Sequence, residues 1–393
     1  MNSPRTSRLQ GGDSLKDPLI GVRPDTRQDP LQASGALLCC LSRLCVTCER
    51  DDSRRYLYND NILETASSMT SILTYERILE HFDGLVEQGI IFHHPSRVVE
   101  YEDRGYKVSD PTRSMSFSEL QLTAFEFGFE VTASLAGKSA AEVAIRVPEH
   151  TPDHLLPSRP QTFGPGSDIT NAHPDLLVTT INDTHLVVIN KFCVFRPQLL
   201  LLTADSYQRQ HTPLSVDDFA AALSVLEQTG DHFYVMFNCG ERAGASRHHK
   251  HIQVLPHPDS LSSKHDRWRL FPDYEPPLDT DQVPFVHFIE RFDKYALSPD
   301  NLLSIYLTFV EKSRGLLKIN DSTQPCPHNF VLTSRWLMVI PRARIDVEGI
   351  TANSAGMMGS VWLKDTDQMN AWIDYGPARA LSQLGLESVD SRP

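Results

Sequence analysis

The run His249-Lys250-His251-Ile252-Gln253 carries two imidazoles and a carboxamide at alternate positions. In a β-strand successive side chains point to opposite faces. His249, His251 and Gln253 then share one face, and Lys250 and Ile252 the other. A neutral imidazole is a nucleophile toward phosphorus once its second nitrogen is held in one tautomer. His249 or a backbone carbonyl could hold that nitrogen. Just upstream, Gly244-Ala245-Ser246-Arg247 offers backbone N–H groups, a hydroxyl and a guanidinium to an anion. With Gln253, these donors would meet the charge that builds on phosphoryl oxygens. The same His-x-His spacing also serves as a metal-ligand pair, or as a plain polar face. The glycine-containing loop directly before it tips the balance toward a phosphate site.

Several elements must hold this segment in place. His248 to Leu255 reads as one strand, and Phe233 to Asn238 as the strand before the glycine loop. Thr184 to Phe192 and Leu199 to Thr203 read as two more. Between them, Ser215 is placed to cap a helix with Asp218 completing a capping box, Phe219, Ala222, Leu223 and Leu226 form its stripe, and Gly230 ends it. Ser71 to Gln88 reads as a helix capped by Ser71, with Ile72, Tyr75, Leu79, Phe82 and Val86 along one face. Phe125 to Leu135 has strand character, and 148–174 reads as a long loop. Further on, Pro284 to Phe292 and Leu302 to Lys312 read as helices, and Phe330 to Thr333 and Trp336 to Ile340 as strands. Two more helices are expected after Asp365 and Pro377. The irregular alternation favours an α+β fold, an antiparallel sheet flanked by helices.

The chain of 393 residues is long enough for a substantial core, and its net charge of −13 argues against a protein that coats nucleic acid. Seven cysteines, an odd number with Cys39, Cys40, Cys45 and Cys48 close together, do not suggest a secreted disulfide framework. A reducing, cytoplasmic setting is the default expectation. The apolar run around Cys39 and Cys40 is too short to span a bilayer. Residues 1–57 read as a disordered extension, in which palmitoylation of Cys39 or Cys40 competes with the plainer reading of a loose tail. Arg335, Arg342 and Arg344 read as a solvated basic face, and Cys193 and Cys239 as small core residues.

The segment G-A-S-R-H-H-K-H-I-Q resembles the active-site segment of the fungal diadenosine tetraphosphate phosphorylases, or ATP adenylyltransferases, of the histidine-triad superfamily. F-E-V-T-A-S-L-A-G-K (129–138), I-N-K-F-C-V-F-R-P-Q-L-L-L-L-T (189–203), F-N-C-G (237–240), N-F-V-L-T-S-R-W (329–336) and N-S-A-G-M-M-G-S (353–360) resemble family segments in the same order. The resemblance implies a histidine-triad-like region over 58–258, a linker or surface loop over 259–282, and a C-terminal region over 283–393 that completes the fold. It implies His251 as nucleophile, with His249 and Gln253 assisting. Lys138, Asn190, Lys191, Asn238, Gly244, Ala245, Ser246 and Arg247 would bind substrate, joined by Gln253, Asn329 and Thr333. The expected ligands are a dinucleoside polyphosphate, ATP, ADP and inorganic phosphate, with Mg²⁺ carried on the polyphosphate and no protein metal site. No nucleic acid or membrane partner is expected. Glutamine at position 253, where hydrolases of the superfamily have histidine, donates a hydrogen bond but does not titrate near neutrality. That favours transfer to phosphate over hydrolysis.

Overall fold

The computed structural model describes residues 73–94, 97–102, 125–136, 162–169, 172–260, 269–275, 277–278, 282–292 and 297–388. These fall in one compact unit, Leu57–Pro393. The strands in chain order are β1 (Phe92–His93), β2 (Arg97–Glu102), β3 (Glu126–Val131), β4 (Leu177–Ile181), β5 (His185–Ile189), β6 (Phe192–Cys193) and β7 (Leu199–Thr203). They continue as β8 (Phe233–Cys239), β9 (His251–Pro256), β10 (Phe288–Arg291), β11 (His328–Leu332), β12 (Trp336–Pro341) and β13 (Ser360–Leu363). The α-helices are α1 (Tyr75–Glu87), α2 (Ala133–Ala136), α3 (Val216–Thr229), α4 (Pro299–Leu316), α5 (Ser354–Met357), α6 (Thr366–Tyr375) and α7 (Pro377–Leu384).

An eight-stranded antiparallel sheet, in the order β10-β12-β11-β8-β9-β7-β5-β4, is the frame. Its central strands are apolar almost throughout because both faces are covered. Along β8, Val235 and Phe237 join a core under α1, α3 and α4, through Phe82, Phe219 and Leu302. Tyr234 and Met236 point the other way, into a second core with Phe127, Phe129, Met357, Trp372 and Leu381. That second layer is a three-stranded sheet, β13-β3-β2, with α5, α6 and α7. Period-two alternation thus feeds two cores, and the sequence shows it as one long hydrophobic run.

Local signals placed α3 well. Ser215 Oγ accepts from the Asp218 backbone N–H, the Asp218 carboxylate accepts from the Ser215 N–H, and Gly230 follows at φ 67°. Elsewhere the structure corrects the sequence reading. Pro284 to Phe292 is not a helix; Phe288–Arg291 is the edge strand β10 on β12. That apolar run is too short to show a period, so pairing with β12 decided its form. Helix α1 is capped by Thr74 rather than by Ser71, which lies outside the described residues, and it buries Ile78, Phe82 and Leu85. Phe125 to Leu135 divides into β3 and the helical turn α2. The stretch 259–282 is no loose linker where it is described, since Leu270, Phe271 and Tyr274 are buried in the second core. The C-terminal strands β11 and β12 extend the sheet directly from β8, so 283–393 shares one core with the residues before it. The expected disordered extension, Lys138 and the four N-terminal cysteines lie outside the described residues. No helix among the described residues is long and apolar enough to cross a membrane.

Candidate active site

His251 is the first residue of β9, between β7 and β8. Its backbone is held where the β8–β9 ladder opens. Gln210 fills the gap: its Oε1 accepts from the His251 N–H at 2.8 Å, and its Nε2 donates to the carbonyls of Asn238 and His251 at 3.0 Å each. The His251 Nδ1 lies 2.8 Å from the His249 carbonyl oxygen. A carbonyl only accepts, so Nδ1 carries the proton and Nε2 holds the lone pair.

His249 does not line the cleft with His251. Regular pairing begins at His251, and His249 meets Arg209 only in an isolated bridge. Its ring is fully buried, with Nε2 2.9 Å from the Thr203 carbonyl and Nδ1 3.0 Å from Ser167 Oγ. Burial drives its pKa down to about 4, so the ring is neutral. Its contribution to His251 is therefore the backbone carbonyl. Asp168 fixes this stretch by accepting from the N–H groups of His248 and His249 at 2.9 and 3.0 Å. Ser167 and Asp168 lie in the loop expected over 148–174, whose lack of pattern gave no hint of this task. On the helical side of β9, Lys250 Nζ donates to Asp218 Oδ2 at 2.7 Å and to the Pro213 carbonyl at 2.8 Å. Asp218 also meets His185 Nε2 at 3.0 Å. Burial alone would raise the Asp218 pKa, but His185, Lys250 and the Ser215 N–H outweigh it and hold it well below the carboxylate range. This pins the start of α3 to β9.

Gly240 and Gly244, at φ 80° and 86°, bracket a 3-10 turn over Glu241–Ala243. A Cβ on Gly244 would lie 2.7 Å from the Ala352 carbonyl oxygen and 2.8 Å from the Asn353 Cα. Only glycine satisfies both the backbone conformation and that close approach. Beneath the turn, Asn329 Nδ2 donates to Asn238 Oδ1 at 2.9 Å and to the Ala243 carbonyl at 2.8 Å. Ser354 donates to Asn238 Oδ1 through its N–H and its hydroxyl. Arg342 donates to Asn329 Oδ1 at 2.6 Å and to the carbonyls of Ala352 and Leu384 at 2.7 and 3.2 Å. Arg342 is fully buried, not part of a solvated basic face, and desolvation lowers its pKa to about 9. Arg335 instead pairs with Asp273 at 3.1 Å.

A cleft of about 290 Å³ opens over these elements. Phe163, Ile169, Leu176, Val188 and Leu200 line an apolar part. Asn190, Lys191, Ser246, Arg247, His251 and Gln253 supply the polar part, with Gly244 beside them. An apolar wall with a few convergent polar groups is the usual makeup of a small-molecule site, and this volume is near the lower end, about 300 Å³, of such sites. Of the remaining expected residues, Asn238, Asn329, Ala245 and His249 do not line the cleft. The two asparagines act underneath it, supporting the glycine turn. Thr333 caps the β11–β12 turn, its Oγ1 accepting from the N–H groups of Arg335 and Trp336 at 3.1 Å each. The sequence reading missed Gln198, Asn353 and Trp362, which do line the cleft. Gln198 has the same strand parity as Leu200, which pairs with Gln253. Knowledge of that register would have found it.

Family models match the chain in two places. The Ap4A phosphorylase N-terminal domain matches 167–267 and the ATP adenylyltransferase C-terminal domain 281–387, between them more than half of the sequence. Diadenosine 5',5'''-P1,P4-tetraphosphate phosphorylase 2 of Saccharomyces cerevisiae is 26% identical over 230 residues, which is 50% of this chain and 69% of that protein. Protein APA1 of the same yeast is 26% identical over 204 residues, 47% of this chain and 63% of that protein. The crystal structure of the yeast Ap4A phosphorylase Apa2 in complex with AMP superposes with a TM-score of 0.55 at 18% identity, over 80% of this chain and 97% of Apa2. Its complex with Ap4A gives 0.56 at 19% identity, over 81% and 99%. The fold is therefore that of Apa2, and with the matched segments on either side of one cleft the chain belongs to the fungal Ap4A phosphorylase family.

Proposed function

We propose that this protein is a nucleotidyltransferase that cleaves diadenosine tetraphosphate by phosphorolysis, giving ATP and ADP through an adenylyl group carried on His251. The observation that carries this reading is the tautomer of His251: its Nδ1–H is fixed on the His249 carbonyl, and the ring lines the cleft. The Nε2 lone pair attacks the α-phosphorus. An N–P bond forms, the bond from that phosphorus to the bridging oxygen breaks, and ATP leaves with the electron pair. An oxygen of inorganic phosphate then attacks the same phosphorus, the N–P bond breaks, and ADP leaves. Run backwards, the steps join ATP and ADP. The adenosine would occupy the apolar part of the cleft. Lys191, Arg247, Ser246 and the Gly244 turn would face the polyphosphate, supplying positive charge and donors before the charge develops. Gln253 adds a non-titrating donor, which suits transfer to phosphate rather than activation of water. Among the described residues no group of three His, Cys, Asp or Glu side chains could hold a metal ion. A divalent cation such as Mg²⁺ would arrive on the polyphosphate and neutralise part of its charge.

The adduct tests the reading. Incubation with diadenosine tetraphosphate without phosphate should raise the protein mass by one adenylyl group, and phosphate should discharge it as ADP. His251→Ala should form no adduct. AMP as the main product, made without phosphate, would refute transfer, and turnover by His251→Ala would refute the covalent route.

A further inference from the structure

Gln253 can help at phosphorus only if its amide nitrogen, not its oxygen, is presented to the anion. The two ends of a carboxamide are nearly the same size and shape, so packing alone does not choose between them. A backbone group makes the choice here. The N–H of Val194 donates to Gln198 Oε1 at 2.9 Å. An N–H can only donate, so that end of Gln198 is the oxygen and the other is the amide nitrogen. Gln198 Nε2 then donates to Gln253 at 3.1 Å, and the atom receiving it must be Oε1. The Gln253 NH₂ is thereby turned away from Gln198. Gln198 is 1% exposed, between β6 and β7, and its own carbonyl accepts from the Asn190 N–H at 2.9 Å. It lines the same cleft as His251 and Gln253.

The geometry points to Gln198 as a positioning residue that sets the polarity of the Gln253 carboxamide, relaying the direction of the Val194 N–H into the cleft. This rests on the proposed reaction at His251. Its action is electrostatic: with the polarity correct, Gln253 meets the α-phosphoryl oxygens with a donor, and with it reversed, with an acceptor that repels them. Removing one preorganised donor typically costs about 10²–10³ in kcat.

Gln198→Glu is the decisive variant. The carboxylate keeps the contact with the Val194 N–H and the side-chain length, but it cannot donate to Gln253. Gln253 must then turn its NH₂ toward the new carboxylate and its oxygen toward the substrate. The expected result is a loss of kcat on the order of a hundredfold. Gln198→Asn, too short to reach both partners at once, should lose less because the carboxamide is then free to rotate. Gln253→Ala supplies the control. In that background Gln198→Glu should leave kcat unchanged, because the group it acts through is gone. Simple repulsion between the introduced carboxylate and the polyphosphate would persist there as a raised KM and a further fall in rate. If the wild type turns over while Gln198→Glu keeps its kcat, or if the losses in kcat multiply in the double variant, Gln198 does not set polarity. A wild type with no phosphorolysis would overturn the proposed function together with this inference.

Discussion

At the level of single residues, the proposed chemistry turns on which atom of each histidine is used. His251 is oriented by the carbonyl of His249, and the His249 ring is turned to the protein interior. His249→Ala should therefore destabilise the fold by about 2–3 kcal/mol, from an empty site and the hydrogen bonds lost at the Thr203 carbonyl and the Ser167 hydroxyl. The folded fraction should still take up an adenylyl group on His251. Denaturant unfolding and intact mass on the same sample check both halves, and loss of adduct in fully folded protein would refute the division. The alternation of side chains was legible in the sequence for His251, Lys250 and Ile252, but the burial of the His249 ring against Thr203 and Ser167 was not. Gln210, 41 residues away, takes up the His251 N–H and carbonyl where the β8–β9 ladder opens, a contact that no local pattern announces. Lys191 and Asn190 could be placed beside the site from the matched blocks. Asn238 and Asn329 sat in equally good blocks, yet their amides are used under the glycine turn. A motif match records that a residue is needed and not which side of a loop it serves.

At the level of elements, the glycine turn is held from two directions, by its backbone conformation and by contact with the segment around Ala352. Gly244→Ala places a methyl group 2.7 Å from a carbonyl oxygen, at φ 86°. Either the turn or the 351–353 segment must move. The strain alone is about 1–3 kcal/mol, and the displaced N–H groups should lower kcat/KM by roughly a hundredfold or more, as for other lost oxyanion donors. A steady-state assay beside a thermal melt would show this, and a variant with normal kcat/KM would count against the turn as a phosphate cradle. Arg342 is the pillar behind it. Arg342→Met would leave Asn329 Oδ1 and the Ala352 carbonyl without this donor, while the Leu384 carbonyl keeps the Ala343 N–H, for a predicted loss of about 3 kcal/mol or more, read as a lower denaturant midpoint. Its burial was not legible beforehand. The residues that enclose it, Ala352 and Leu384, lie 10 and 42 positions away, and charge alone suggested solvent. The capping box at Ser215 was legible because it is local: Ser215 and Asp218 contain the whole interaction. The edge strand β10 was not, since only its pairing with β12 distinguishes it from a short helix.

At the level of the whole molecule, buried titratable groups give the fold a predictable response to acid. His249 and His328 are fully buried, and desolvation lowers the pKa of each to about 4. In the unfolded chain they would titrate near about 6.5. Between those values the unfolded state binds protons that the folded state does not, so stability falls as pH falls, by up to roughly 3 kcal/mol per histidine at about pH 4. Asp218 acts lower. Its folded pKa is depressed, so its contribution is present above the ordinary carboxylate value and is lost as pH drops beneath it. The urea midpoint should therefore decline from about pH 6.5 to about pH 4 and more steeply below. A midpoint unchanged between about pH 7 and about pH 5 would contradict the buried state of the two histidines. The α+β class and the antiparallel sheet were legible from pattern and resemblance together. The second layer over the sheet was not, because β13 comes back to pair with β3 from far along the chain, Ser360 meeting Gly128.

The contact between Gly244 and the Ala352–Asn353 backbone joins the two family segments at a single point of the cleft. Neither segment is half a catalyst. Expressed separately, each would expose one side of a shared hydrophobic core and present an incomplete wall to the nucleotide. Cut within 268–281 and produced together, the two pieces should regain activity only as a complex, so turnover would report their reassociation in the manner of a split reporter.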